Sequence, residues 1–313
     1  MELRQLEYFV TVAEEANFTR AAARVHVSQS GISAQIRQLE SELGAPLFDR
    51  STRIATLTVA GEAALTHARA TLAAARAVRD AVDDVNQLVR GRIEVGMVTA
   101  CTVTPLFDAL SSFHRAHPGI DVTLKEDNSD RLVDGVRGGT VDLALVGVAG
   151  DAPADLGSFT VVRERLVAAA PAGHPLTRLP SAMLADVCGH PLIALPPGTG
   201  IRTVLERGCA ELGRRPDIAL QASAPDAVAD LAARGLGVAI LSESMAAAYP
   251  DLESRVIIDI DVEAVLALVW KEDPSPALRE LLAHTRSAFG VHPRSPETPK
   301  GAHSRRSERP RRQ

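Results

Sequence analysis

Residues 28–44 read SQSGISAQIRQLESELG. Ile32, Ile36, Leu39 and Leu43 recur in steps of four, three and four, the period of one buried helix stripe. Ser28 suits an N-cap, because its hydroxyl can accept from the free N–H groups of the first turn. Gly44 suits the position just past the helix, where φ is often positive. The opposite face carries Gln29, Ser30, Ser33, Arg37 and Gln38, side chains of the right length and chemistry to reach base edges and phosphates. From Ala16 to Gln38 there is no Asp or Glu, while Arg20, Arg24 and Arg37 fall inside that window. Such a helix is either an ordinary solvated helix or a nucleic-acid reader, and its neighbours decide which.

On the N-terminal side, residues 3–14 read as a helix with Leu3, Leu6, Phe9, Val10 and Ala13 on one face. Asn17 and Thr19 mark a turn and a new start. Residues 20–25 make a short Ala-rich helix, and His26-Val27-Ser28 is a tight turn into the 28–44 stretch. Two short helices joined in this way, the second with a polar outer face, have helix-turn-helix geometry. On the C-terminal side, Leu47 and Phe48 close a small core. Arg50, Thr52, Arg53 and Thr56 then fill a short connection of two strands and a basic loop, ahead of Thr58 as the next N-cap. That is the pattern of a wing whose loop meets the flanking groove or phosphates.

Residues 59–89 continue as one long helix. Leu65, Ala68, Leu72, Ala75, Val78, Val82, Val85 and Val89 step by three or four throughout. Roughly 30 residues at ~1.5 Å each give about 45 Å, a length and stripe typical of a pairing helix in an oligomer. Arg90-Gly91-Arg92 ends it. Strands and helices then alternate: strands at 93–98, 120–125, 141–146, 191–195, 218–221 and 238–241, helices at 105–117, 131–136, 203–212 and 226–234. This predicts α/β architecture with largely parallel sheets. The apolar stretches 159–170 and 256–269 read as strands crossing between two subdomains, and 278–289 as a last helix. Residues 292–313 are polar, Pro-rich and Arg-rich, the composition of a disordered basic tail.

The chain of 313 residues is long enough for two or three domains. Aromatics make up only 3 %, so the cores must be built from Ala, Val, Leu and Ile. A net charge of −5 argues against a generally basic coat but leaves room for a local basic face. The N terminus has no basic segment ahead of an apolar run, so no secretion signal is expected. No apolar run is long enough for a bilayer, and no membrane partner is expected. The three cysteines, Cys101, Cys188 and Cys209, have no metal-ligand spacing and read as small buried hydrophobes. An odd cysteine count without an export signal fits a reducing, cytoplasmic setting. The nine histidines are scattered, and HExxH, GxSxG and GxxxxGK[ST] are all absent. Neither an enzyme, a metal site nor a cofactor is expected.

Taken together, residues 3–65, LRQLEYFVTVAEEANFTRAAARVHVSQSGISAQIRQLESELGAPLFDRSTRIATLTVAGEAAL, resemble the N-terminal signature of the LysR-type transcriptional regulators. The likeness extends at pattern level to about residue 290. It implies a winged helix-turn-helix domain at 1–58 and a linker and dimerisation helix at 59–90. It also implies an effector domain at 91–291 of two Rossmann-like subdomains, similar to periplasmic solute-binding proteins. Subdomain I would span about 91–161 and 267–291, and subdomain II about 162–266. The implied protein is a cytoplasmic bacterial regulator, usually a homotetramer built as a dimer of dimers, that binds double-stranded operator DNA and a small-molecule effector, with RNA polymerase as a further partner. Gln29, Ser30 and Ser33 match the family's base-facing positions. Thr19, Ser28, Arg37, Arg50 and Arg53 match positions at phosphates or in the wing. Ala34 stands where many members carry Arg, which removes a bidentate guanine contact worth ~1–3 kcal/mol.

In two-subdomain α/β folds, ligands sit at strand carboxyl ends near helix N-termini. Three stretches have that placement: Thr99-Ala100-Cys101-Thr102, Gly147-Val148-Ala149, and Gly198-Thr199-Gly200-Ile201-Arg202. Hydroxyls, free N–H groups and an Arg at a helix start point to an anion, a small carboxylate first. The competing reading is a solute-binding or ligand-sensing protein without a transcriptional role, which would leave residues 1–65 unexplained.

Overall fold

The structure, a computed structural model, describes residues 1–49, 54–85, 91–99, 101 and 103–290. The head consists of α1 (Leu3–Glu15), α2 (Phe18–Arg24), α3 (Gln29–Leu43) and a two-stranded wing, β1 (Phe48–Asp49) and β2 (Thr56–Leu57). Ile32, Ile36 and Leu39 of α3 are fully buried, against Phe9 and Val12 of α1, Ala21 of α2 and the wing's Phe48. Phe9 and Phe18 each meet the Phe48 ring edge-on at 5.5 Å, so three of the chain's few aromatics anchor one small core. Leu43 departs from the expected stripe: at 46 % exposed it lies on the last turn, past the edge of that core. Leu3 is likewise half exposed. The side chain of Glu40, on α3, accepts from the Leu47 and Phe48 N–H groups at 2.8 and 3.2 Å and fixes the entry to the wing. The turn between α2 and α3 passes through His26 at φ 55°, a left-handed conformation that costs a non-glycine residue about 1 kcal/mol.

Thr58 caps α4 (Val59–Val85), its hydroxyl accepting from Gly61 N–H at 3.0 Å. The N-terminal half of α4 uses Ala68, Leu65 and Leu72 to complete the head core. Further along, Val78 is 66 % exposed. Residues 86–90, including the expected Val89, lie outside the described residues.

The rest of the chain forms two five-stranded sheets. Sheet I, in the order β4-β3-β5-β12-β6, contains β3 (Gly91–Val98), β4 (Ile120–Asp127), β5 (Leu143–Ala149), β6 (Gly157–Glu164) and β12 (Ala264–Trp270). It is flanked by α5 (Thr104–Ala116), α6 (Ser129–Gly138) and α11 (Pro276–Ala288). Sheet II, in the order β11-β7-β10-β8-β9, contains β7 (Leu166–Pro171), β8 (Leu192–Ala194), β9 (Ile218–Gln221), β10 (Val238–Ser242) and β11 (Leu252–Val256). Its helices are α7 (Leu184–Val187), α8 (Gly200–Glu211), α9 (Pro225–Ala233) and α10 (Glu243–Ala247). The sheets are mixed rather than largely parallel. In sheet I, β3 pairs parallel with β4 and β5, while β12 runs antiparallel to both β5 and β6. In sheet II, β8 pairs parallel with β9 and β10, while β7 runs antiparallel to β10 and β11. The antiparallel pairs arise because the chain leaves sheet I along β6, passes through Arg165 into β7, and returns between β11 and β12. A strand that changes sheets this way has no crossover helix to turn it parallel. The stretch 256–269 is therefore not one strand but the end of β11, a turn and β12.

Candidate functional site

Two surfaces carry polar chemistry that the cores do not consume. The first is the outer face of α3. Ser28 accepts from Gly31 N–H at 3.1 Å and lies 3.2 Å from the Ser30 hydroxyl, and both residues are exposed. Gln29 is exposed and donates through Nε2 to the Ser33 hydroxyl at 3.1 Å. Ser33 itself is 7 % exposed, so it is not on the outer face as expected. The residue lies one position past Ile32, on the margin of the buried stripe, and holds Gln29 instead of facing solvent. Arg37 is exposed and donates to the Ser33 carbonyl at 3.2 Å, one turn back. Thr19 is exposed at the start of α2, its N–H held by the Asn17 side chain at 2.8 Å. Arg20 and Arg24 are less available than the acid-free window implies, because they pair with Glu15 and Glu14 of α1. Arg50 and Arg53 lie outside the described residues.

The second surface is a cleft of about 760 Å³ between the two sheets. Sheet I contributes Val98, Thr99, Cys101 and Asp127 to Ser129. The cross-over adds Val161, Val162 and Glu164, and sheet II adds Leu195, Thr199 to Ile201, Asp226, Ser244 and Tyr249. The floor is a backbone contact. A Cβ at Gly200 would stand 2.5 Å from the Gly147 carbonyl carbon and 2.6 Å from Val148 N, so only glycine lets α8 start here. Ser129 N–H donates to the Gly198 carbonyl at 3.0 Å and the Ser129 hydroxyl accepts from Gly147 N–H at 2.9 Å, which closes the same seam. At the hinge, Arg165 pairs with Glu243 at 2.9 Å, and Glu164 accepts from the Ser244 hydroxyl at 2.8 Å.

A bacterial regulatory helix-turn-helix protein of the lysR family describes residues 3–62, and the LysR substrate binding domain describes residues 86–290. The chain belongs to the LysR family of transcriptional regulators. The HTH-type regulator YnfL of Escherichia coli (strain K12) is 32 % identical over 300 residues, covering 92 % of this chain and 99 % of its own. A cysteine-to-aspartate variant of full-length OxyR from Pseudomonas aeruginosa superimposes with a TM-score of 0.65 at 26 % identity, over 96 % of this chain and 99 % of that one. Full-length CbnR in complex with its target DNA superimposes with a TM-score of 0.55 at 28 % identity, over 92 % and 100 %.

Within this LysR architecture, Thr99, Cys101, Gly147, Thr199, Gly200 and Ile201 do line the cleft. Val148 and Arg202 do not. Arg202 was expected to meet an anion. Its Nε instead pairs with Glu206 at 2.7 Å, one turn along α8, and a second nitrogen donates to the Leu195 carbonyl. At 11 % side-chain exposure it ties α8 to the end of β8. Ala100 and Thr102 lie outside the described residues. Glu164, Asp226, Ser244 and Tyr249 also line the cleft, outside the three expected stretches. Their one local signal was Ser242 as an N-cap, which accepts from Met245 N–H at the start of α10. Tyr249 donates its phenol to Asp226, and burial first, then that bond, pushes its pKa up to about 12.

The cysteines have unequal settings. Cys101 sits at the cleft wall, where burial pushes its thiol up. Cys188 and Cys209 touch at 3.4 Å in the core of sheet II, and burial, ahead of that contact, pushes Cys209 up to about 12. Among the described residues, no group of three or more His, Cys, Asp or Glu is placed to hold a metal ion, and no helix is long and apolar enough to cross a membrane.

Proposed function

We propose that this LysR regulator binds operator DNA through the N-terminal half of α3 and is switched by a small molecule in the cleft between its two sheets. The observation that carries this reading is the division of α3. Its inward residues are fully buried, while Ser28, Gln29, Ser30 and Arg37 stand exposed in a segment, residues 16–38, without a single acid. In the major groove, Gln29 and Ser30 read base edges, with Ser33 holding Gln29 in place. Thr19, Ser28 and Arg37 meet phosphates, joined by Arg50 and Arg53 from the wing loop. A ligand in the cleft contacts both sheets and selects one relative orientation, provided it binds the two orientations unequally. That shift has a physical route to the head. A Cβ at Gly139, just past α6, would stand 2.3 Å from the Ala73 Cβ of α4, so the effector domain and the long helix are in direct contact.

The working form is a homo-oligomer, a dimer of dimers, with RNA polymerase as a further partner at the promoter. The far half of α4, where Val78 is exposed, supplies the pairing surface. Leu72 is not part of it, because it packs into the protein's own head. A gel shift with DNA upstream of the protein's own gene, against random DNA of equal length, tests the function. Equal affinity for both DNAs, at matched salt, refutes specific recognition. Val78→Glu should give a species of lower mass in light scattering. An intact oligomer at micromolar concentration refutes the pairing surface.

A further inference from the structure

The charge of the cleft is opposite to what an anionic ligand needs. Its described lining contains three carboxylates, Asp127, Glu164 and Asp226, and no Lys, Arg or His. The cations nearby are committed elsewhere: Arg202 to Glu206, Arg165 to Glu243, and Arg163 to Asp151. Arg131 approaches Asp127 at 3.7 Å from a side chain that is 75 % exposed, and so offsets only that one carboxylate.

Two of the helix starts at the cleft, those of α6 and α5, offset this charge little. The first N–H of α6 is bonded to the Gly198 carbonyl, and Asn128 caps the Arg131 N–H at 2.9 Å. Pro105, in the first turn of α5, has no N–H to offer. A carboxylate ligand here would meet like charge from three side chains.

Among the described residues, two of the carboxylates have only neutral partners, and both are tied to one segment of sheet II. Glu164 accepts from the Ser244 N–H and hydroxyl, and Asp226 accepts from the Tyr249 phenol. Facing them are the apolar walls of Val98, Val161, Leu195, Met245 and Leu266.

Resting on the reading of the cleft as the effector site, we infer that it selects a small organic amine, an ammonium group on an apolar body. The ammonium lies toward Glu164 and Asp226, and the body along the Val, Leu and Met walls. Amine binding then draws on charge-assisted hydrogen bonds from segments on opposite sides of the hinge, since Glu164 ends β6 of sheet I and Asp226 begins α9 of sheet II.

The test uses the full-length protein and three apolar bodies, n-hexyl, cyclohexyl and 3-phenylpropyl, each carried as the amine, the carboxylate and the alcohol. Binding is read by thermal shift and by hydrogen-exchange protection of residues 198–201 and 242–249. Amines should raise Tm and protect these segments at concentrations where the matching carboxylates do neither. Glu164→Gln and Asp226→Asn keep the side-chain shape and a hydrogen-bonding oxygen. Each should weaken the amine by roughly tenfold, the loss of one charge-assisted bond. If carboxylates or alcohols bind as tightly as amines, the charge selection is wrong and the effector site still stands. If amines bind but neither variant weakens them, the assignment to these carboxylates is wrong. If no probe of any charge shifts Tm or protects the cleft, the cleft reading fails and the inference fails with it.

Discussion

The head and the cleft domain build their working surfaces by opposite means. In the head, one 15-residue helix supplies both halves of the design. Ile32, Ile36 and Leu39 bury one side, and Ser28, Gln29 and Ser30 occupy the other, all within a dozen positions. In the cleft, the lining comes from Val98 to Leu266, joined only when two sheets close on each other. The head's surface is thus set by helical period, and the cleft's by topology. A local change should therefore damage the head without touching the cleft.

The largest expected effect is in the head core. Ile36 is fully buried, and Ile36→Ala removes its packing and leaves a cavity, a loss of about 2–5 kcal/mol. A domain of roughly 60 residues has little stability to spare. DNA affinity should collapse, and urea unfolding should show an earlier head transition, while ligand-linked protection of 242–249 is kept. If the cleft domain lost stability equally, α4 would be coupling both parts into one cooperative unit, and the contrast between them would break.

The contrast also accounts for what was readable in the sequence. The N-cap at Ser28, the left-handed Gly44 at φ 71° and the buried Ile32–Ile36–Leu39 stripe follow from spacing alone. The errors in the head lie at margins, where period does not decide: Leu43 past the core edge, and Ser33 one step inside it. In the second half, strand positions were legible but strand direction was not. Antiparallel pairing of β12 with β5 joins residues more than a hundred positions apart, and no local pattern encodes it. Arg202 departs from its expected place for the same kind of reason. A helix-start Arg looks ligand-facing in sequence, and only the rotation of α8 against β5 shows that it bonds Glu206 and the Leu195 carbonyl. Glu164, Asp226 and Tyr249 carried no motif at all. They become neighbours only through the hinge at Arg165 and the short α10.

A smaller effect separates Gln29 from Ser33 on α3. Gln29 is exposed and its amide oxygen is free to read a base, so Gln29→Ala should reduce preference for the cognate site over random DNA by ~1–3 kcal/mol. Ser33 is buried and acts by holding Gln29, so Ser33→Ala should lose only ~0.5–1.5 kcal/mol of the same preference, the net value of one hydrogen bond. Combining them should give little beyond Gln29→Ala alone, since one residue works through the other. Titrations against cognate and random DNA at fixed salt measure all three. Additive losses would mean that Ser33 contacts DNA directly.

The smallest expected effect lies in the cleft domain, outside the cleft lining. His174 precedes the short 3-10 turn at Pro175–Arg178, and its Nδ1 accepts from Leu176 N–H at 3.3 Å. Its ring lies 4.8 Å from that of His190. Burial first, and the His190 charge second, hold its pKa below the ordinary histidine value of 6.5. The neutral ring is the form that fits, because a protonated Nδ1 cannot accept from Leu176. In the unfolded chain His174 titrates near 6.5, so as pH falls below that value the unfolded state takes up the proton before the folded state does. The stabilisation is therefore complete above pH ~6.5 and is lost as pH falls toward the lower, folded-state value. His174→Asn places a neutral acceptor near the same N–H and removes the titration. Between pH 7.5 and 5.5, Tm of the wild type should fall by more than Tm of His174→Asn, while DNA affinity at pH 7.5 stays the same in both. An equal fall in the two proteins would assign the pH dependence to other groups and leave the neutral His174 contact without weight in the stability of sheet II.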